Sequence, residues 1–214
     1  MNVLWAVFLA AAALITFVVH EIAAAGAAAR LGDPSAVRWR RRSLDPRRHA
    51  DPFGSVILPL IGIGLAATGS AFPVFAYGRP MPSDPRALRD PRRAAILVAL
   101  AGPTAQLALA GVAGAVVRWS LAAGADMLAE ASIALLWVAA TMAILQLMPI
   151  PGLDGSRILV RFLPPRAAEV YGGLDVYLPL FLLVILLVIP GPLLAIVGRL
   201  TALVCGAFAG APVC

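Results

Sequence analysis

Residues 14–30 read LITFVVHEIAAAGAAAR, and the fold turns on this stretch. The apolar run that carries it extends from about residue 3 to 29, enough to cross a bilayer even when tilted. Yet His20 and Glu21 stand side by side within the run. An ionisable pair in a membrane-length helix is costly and marks a functional site by default, so its partners are expected on neighbouring elements. The Ala-rich end, Ala23 to Ala29 with Gly26, makes a thin helix that neighbours can approach closely.

The composition agrees. Of 214 residues, 61% are hydrophobic and 13% charged, against about 25% charged in an ordinary soluble domain. Several apolar stretches of about 20 residues follow one another, the mark of a polytopic membrane protein. The net charge of +6 rests on arginine alone, since the chain has no lysine. In a soluble chain that balance would suggest nucleic acid. Here the arginines fall between apolar runs, where they set topology and meet anionic headgroups, and no nucleic-acid partner is expected. No positive charge precedes Arg30, so an uncleaved spanning helix is expected rather than a secretory signal. The two cysteines, Cys205 and Cys214, lack C-x-x-C spacing, which supports neither a disulfide framework nor a thiolate metal site.

After the first run comes a polar segment, 30–52, with seven Arg, three Asp and the second of the chain's two histidines, His49. Prolines at 34, 46 and 52 argue for loop or short strands there. The next apolar run, 53–77, carries Pro59, Gly62, Gly64, Gly69 and Pro73, more breakers than a straight spanning helix holds. Broken backbone at membrane depth is tolerated only where protein or a water-filled cavity shields it, which predicts a re-entrant segment. A basic stretch at 78–93 precedes apolar runs at 94–117 and about 131–150. A last run, 176–204, is interrupted by Pro190-Gly191-Pro192. The expected fold is an all-α polytopic membrane protein of about four transmembrane helices plus the re-entrant, broken segment. No internal repeat is evident, so residues 1–214 read as a single membrane-embedded domain.

The chemistry concentrates in three places. His20-Glu21-Ile22-Ala23-Ala24 has the first two residues of H-E-x-x-H, in which two histidines one helical turn apart grip zinc and the Glu is the general base. Ala101-Gly102-Pro103-Thr104-Ala105-Gln106 opens the third run. Gln146-Leu147-Met148-Pro149-Ile150-Pro151-Gly152-Leu153-Asp154-Gly155 ends the fourth, where prolines and glycines unwind the helix and free a carboxylate to point inward. In these residues the chain resembles the site-2 protease family of membrane-embedded zinc metallopeptidases. That family's hallmarks are H-E-x-x-H, A-G-P-x-x-N and N-x-x-P-x-P-x-L-D-G on three successive helices. The stretches His49-Ala50-Asp51-Pro52-Phe53-Gly54 and Asp90-Pro91-Arg92-Arg93 look like its compact bacterial branch, and the resemblance runs from about residue 14 to 165. It implies zinc as cofactor, His20 and Asp154 as ligands, and Glu21 as the base that takes a proton from zinc-bound water. It also implies substrate-binding or helix-locking roles for the amides at the family's two Asn positions, here Gln106 and Gln146. The chain departs from the pattern at those two positions and at Ala24, which stands where the second ligand histidine belongs and cannot coordinate. His49 is a candidate replacement ligand, against a loop histidine near the membrane surface.

Three readings compete. The resemblance implies an intramembrane zinc metalloprotease that cleaves transmembrane segments of other membrane proteins, impaired by Ala24. The alternative is a catalytically inactive relative that binds membrane helices or partner proteins. A small transporter ranks third. Sidedness follows from charge. If residues 53–77 crossed the membrane, the positive-inside rule would have nothing to choose between. If they dip in and return, the seven, five and three arginines of segments 30–52, 78–93 and 155–175 gather on one face, with Arg118 opposite. That arrangement also brings His20–Glu21 and Asp154 towards the same face. The expectation is therefore a protein of the bacterial cytoplasmic membrane with both termini outside and those three segments cytoplasmic.

Overall fold

The computed structural model describes residues 3–39, 42–69, 73–79, 90–178, 180–182, 184 and 190–210. Most of the basic 78–93 segment and Cys214 lie outside the described residues. Helix α1 (Val3–Arg30) is the first apolar run, and its Arg30 closes the last turn where a cation suits the helix dipole. A short α2 (Ser35–Arg38) and a 3-10 turn at Pro46–Arg48 lead to the re-entrant segment. There Asp51 caps a π-helical turn, Pro52–Ile57, by accepting from the backbone N–H of Phe53 and Gly54. The turn continues as α3 (Leu58–Ala67).

Residues 73–79 then return extended. Tyr77 N–H donates to Gly54 O, Ser55 Oγ donates to Tyr77 O, and Arg79 N–H donates to His49 O. Ala50 and Gly78 form an antiparallel bridge, so the segment leaves beside the point where it entered. It dips and returns, as its breakers predict. Its non-helical backbone is shielded by protein, with Val74, Phe75, Ala76 and Tyr77 all buried. Gly62 makes the fold-back possible, because a Cβ there would meet Pro73 O at 2.8 Å.

Helix α4 (Pro91–Ala122) starts with Asp90 accepting from Arg93 N–H and Pro91 in the first turn, so it runs beyond the apolar run at both ends. Helix α5 (Asp126–Gln146) is the central span: 61% of its apolar window is buried, against 22–33% for the other three. After the Pro149–Gly152 turn come α6 (Asp154–Val160) and α7 (Pro165–Gly173), then a 3-10 turn over Leu174–Tyr177. The last helix, α8 (Pro190–Ala209), begins at the Pro190-Gly191-Pro192 interruption, since proline tolerates only a helix's first turn.

Four of these helices are long and apolar enough to cross a membrane: α1, α4, α5 and α8. The fold is thus an all-α polytopic membrane protein with a re-entrant segment. One core joins α1, the re-entrant segment, α5 and residues 150–182; a second joins α4, α5 and α8. Lipid tails are as apolar as leucine, so close approach through small residues holds such helices together. At Gly114 of α4, for instance, a Cβ would stand 2.6 Å from Cβ of Phe208 in α8. Large apolar side chains such as Val112, Trp119 and Leu203 point outward, as a lipid-facing surface requires. Cys205, in the second core, is disulfide-bonded, a single bond of which the cysteine spacing gave no sign.

Candidate functional site: an intramembrane polar cavity

Helices α1 and α4 run antiparallel in tight register. Ala25 and Ala28 pack on Val98, and any side chain at Gly102 would overlap the His20 ring. The small residues of both helices therefore decide where His20 sits. Opposite, the kinked turn after α5 delivers Asp154 at the first position of α6. Gly152 takes φ +89°, in the left-handed region glycine favours, and Gly155 packs against the Leu147 and Met148 carbonyls where no Cβ fits. The result is a buried pair, with His20 Nε2 3.2 Å from Asp154 Oδ2. Asp154 Oδ2 accepts no hydrogen bond among the described residues, while Oδ1 lies 3.5 Å from Arg157 Nη1.

These residues line a cavity of about 870 Å³. Glu21, Ala24, Gln146, Tyr77 and Gly78 share its walls, and its rim carries Arg79, Arg157 and Arg161 beside Asp33, Asp51 and Asp175. The structure thus brings together His20, Glu21, Asp154 and Gln146, four of the five residues expected from the sequence. Gln106 does not line the cavity. One turn beyond Gly102, it comes level with Thr16 of α1 in the antiparallel register. Neither its amide atoms nor the Thr16 hydroxyl finds a partner among the described residues, although both side chains are fully buried.

His49 is neither a surface histidine nor a ligand beside His20. It is wholly buried, donates from Nε2 to Ser43 O at 2.8 Å, meets the Phe17 ring edge-on, and turns Nδ1 towards Glu21 Oε2 at 3.8 Å. It stands behind the carboxylate rather than across the cavity from it.

Two residues that sequence reasoning missed hold the Asp154 turn in place. Tyr171 Oη donates to Pro149 O, and Asp175 Oδ1 accepts from Gly152 N–H at 2.7 Å. Burial, and secondarily the Asp175 carboxylate, push the Tyr171 phenol above its ordinary pKa. That keeps it protonated as a donor.

A catalytic zinc takes three protein ligands and an open position. His20 and Asp154 supply two; Ala24 offers none, and no group of three His, Cys, Asp or Glu among the described residues is placed to hold a metal. The donor set does not fit a catalytic zinc.

Fold and site together define a polytopic membrane protein with an open cavity among its helices, into which His20, Glu21, Gln146 and Asp154 face. The chain is 34% identical over 181 residues to a Bacillus subtilis protein named "Putative zinc metalloprotease YwhC", covering 78% of this chain and 77% of that one. It is 32% identical over 185 residues to the Mycobacterium tuberculosis H37Rv protein named "Putative zinc metalloprotease Rip2", covering 81% of this chain but 64% of that relative's length. No protein-family model and no solved structure matches the chain. The chain belongs to the site-2 protease family.

Proposed function

We propose that this protein receives transmembrane segments of partner membrane proteins in the cavity and holds them without cutting them. Ala24 carries the reading: the wall that should present a second ligand histidine presents a methyl group, and the remaining ligand pair, His20 and Asp154, face each other directly. The cavity, at about 870 Å³ and open to the surface, has room for a stretch of a partner. Extended backbone at residues 77–79 lies along its wall to meet such a stretch. A slow metalloprotease with Glu21 as its base is the second reading, favoured by the relatives' names and by the survival of His20, Glu21 and Asp154 around one cavity.

A peptide with an apolar span broken by Gly-Asn, incubated with the protein in nanodiscs, separates the two. The first reading predicts retention of intact peptide, equal in wild type and Glu21→Gln. Cleavage that disappears in Glu21→Gln would replace it with the second.

The same reading places the chain in a bacterial cytoplasmic membrane as one domain, with segments 30–52, 78–93 and 155–175 cytoplasmic. The arginine distribution supports this. Ser43→Cys and Arg166→Cys should label from the cytoplasm and Met127→Cys, at the start of α5, from outside. Labelling of Ser43→Cys and Arg166→Cys from opposite sides would refute the sidedness.

A further inference from the structure

Residues 162–177 form a stretch that the proposed activity does not use. They leave α6, pass through α7 and end in the 3-10 turn, and their last part walls the cavity through Asp175 and Val176. On the outside they expose Phe162, Val170, Val176 and Tyr177, of which Val176 is 74% exposed, an apolar display unsuited to water. The display continues into Leu180 and Val184, also exposed, in the final apolar run. Arg92, in the first turn of α4, lies over the Phe162 ring at 5.5 Å, which sets that ring at the level of a spanning helix's end. An aromatic ring, a nearby cation and outward aliphatics at that level suit the bilayer's headgroup layer. On the inside, the side-chain hydrogen bonds from this stretch to the Asp154 turn are those of Tyr171 and Asp175, both to backbone. Leu178, buried against Gly152, ends the stretch and anchors it to the Asp154 turn.

We propose that residues 162–177 are a strap seated in the bilayer interface by Phe162, Val176 and Tyr177 and latched by Tyr171 and Asp175, whose release takes away part of the wall and widens the mouth of the cavity. It supplies access to the site proposed above, but its test needs no partner, so the two can fail separately. Ala24→Cys places a thiol in the cavity, and its labelling by a water-soluble methanethiosulfonate reports opening in nanodiscs. A net hydrogen bond changes an equilibrium by a factor of about 2 to 12. Tyr171→Phe with Asp175→Ala should therefore raise the labelling rate roughly tenfold, and Tyr171→Phe alone a few-fold. Asp175→Asn keeps an acceptor oxygen and should stay near the wild-type rate. Tyr171→Phe removes a single hydroxyl, so the inference stays testable if the double variant does not fold. Rates unchanged in both latch variants would overturn the latch. For the seat, Val176→Trp should be quenched by brominated lipid; quenching by aqueous acrylamide instead would overturn it.

Discussion

Two walls of one cavity have been built to different standards. The wall made by the re-entrant segment is tied together through its backbone: Asp51 caps two N–H groups, Ser55 Oγ donates to Tyr77 O to join the π-helical turn to the returning segment, and Gly78 passes so close to Glu21 that a Cβ would stand 2.7 Å from its carboxylate. The wall made by α1 and α4 keeps the packing of such a site without its chemistry. Gly102 fits the His20 ring, but Ala24 offers no donor to the cavity. The proposed holding role rests on this contrast between packing that fits such a site and a ligand set that lacks its third member.

The sharpest way to break the contrast is steric. Gly102→Val drives a branched side chain into the His20 ring between two rigid helices, and should cost about 3 kcal/mol or prevent folding. A melting temperature within a degree or two of wild type in detergent would show the register to be loose. Next comes the re-entrant wall. Asp51→Ala strips the cap from the π-helical turn and should cost up to about 2 kcal/mol, with Asp51→Asn recovering most of it; equal melting of all three proteins would mean that the wall does not depend on its cap. The smallest effect belongs to the Asp154 turn, where Tyr171→Phe should cost about 0.5 kcal/mol for a partly exposed hydrogen bond. Its folded pKa is raised, so this stabilisation is fully present below the unfolded value near 10 and declines as pH rises through the folded one. The gap between wild type and Tyr171→Phe in melting temperature should close in strong alkali, and a gap that widened there would contradict the donor role.

Much of this was legible in the sequence, for identifiable reasons. The breakers between Pro59 and Pro73 announced a fold-back because nothing else shields broken backbone at membrane depth. Asp51-Pro52 and Asp90-Pro91, read from the sequence only as marks of the family resemblance, start helices in the structure, because cap and first-turn proline act within three residues. The meeting of His20 with Asp154 followed from the charge argument for one common face. What stayed hidden was long-range and patternless. Tyr171 and Asp175 bond to backbone 22 and 23 residues away, and any side chain of that reach could have done so. Gln106, expected to act on a substrate or lock helices, lies off the cavity and fully buried: a motif gives a residue's helix and turn, but not which neighbour its side chain faces. His49 lies in a loop, as the surrounding prolines and arginines suggested, but its burial against Phe17 left no mark in the sequence.

The central claim is that Ala24 leaves the cavity without a metal site of catalytic strength. Elemental analysis of the full-length protein, purified without chelator from zinc-supplemented cells, tests it most directly against Ala24→His. The account predicts far less than one zinc per chain in the wild type and a rise towards one in the variant, where a third ligand joins His20 and Asp154. One tightly held zinc per wild-type chain, retained through dialysis against a chelator, would contradict it.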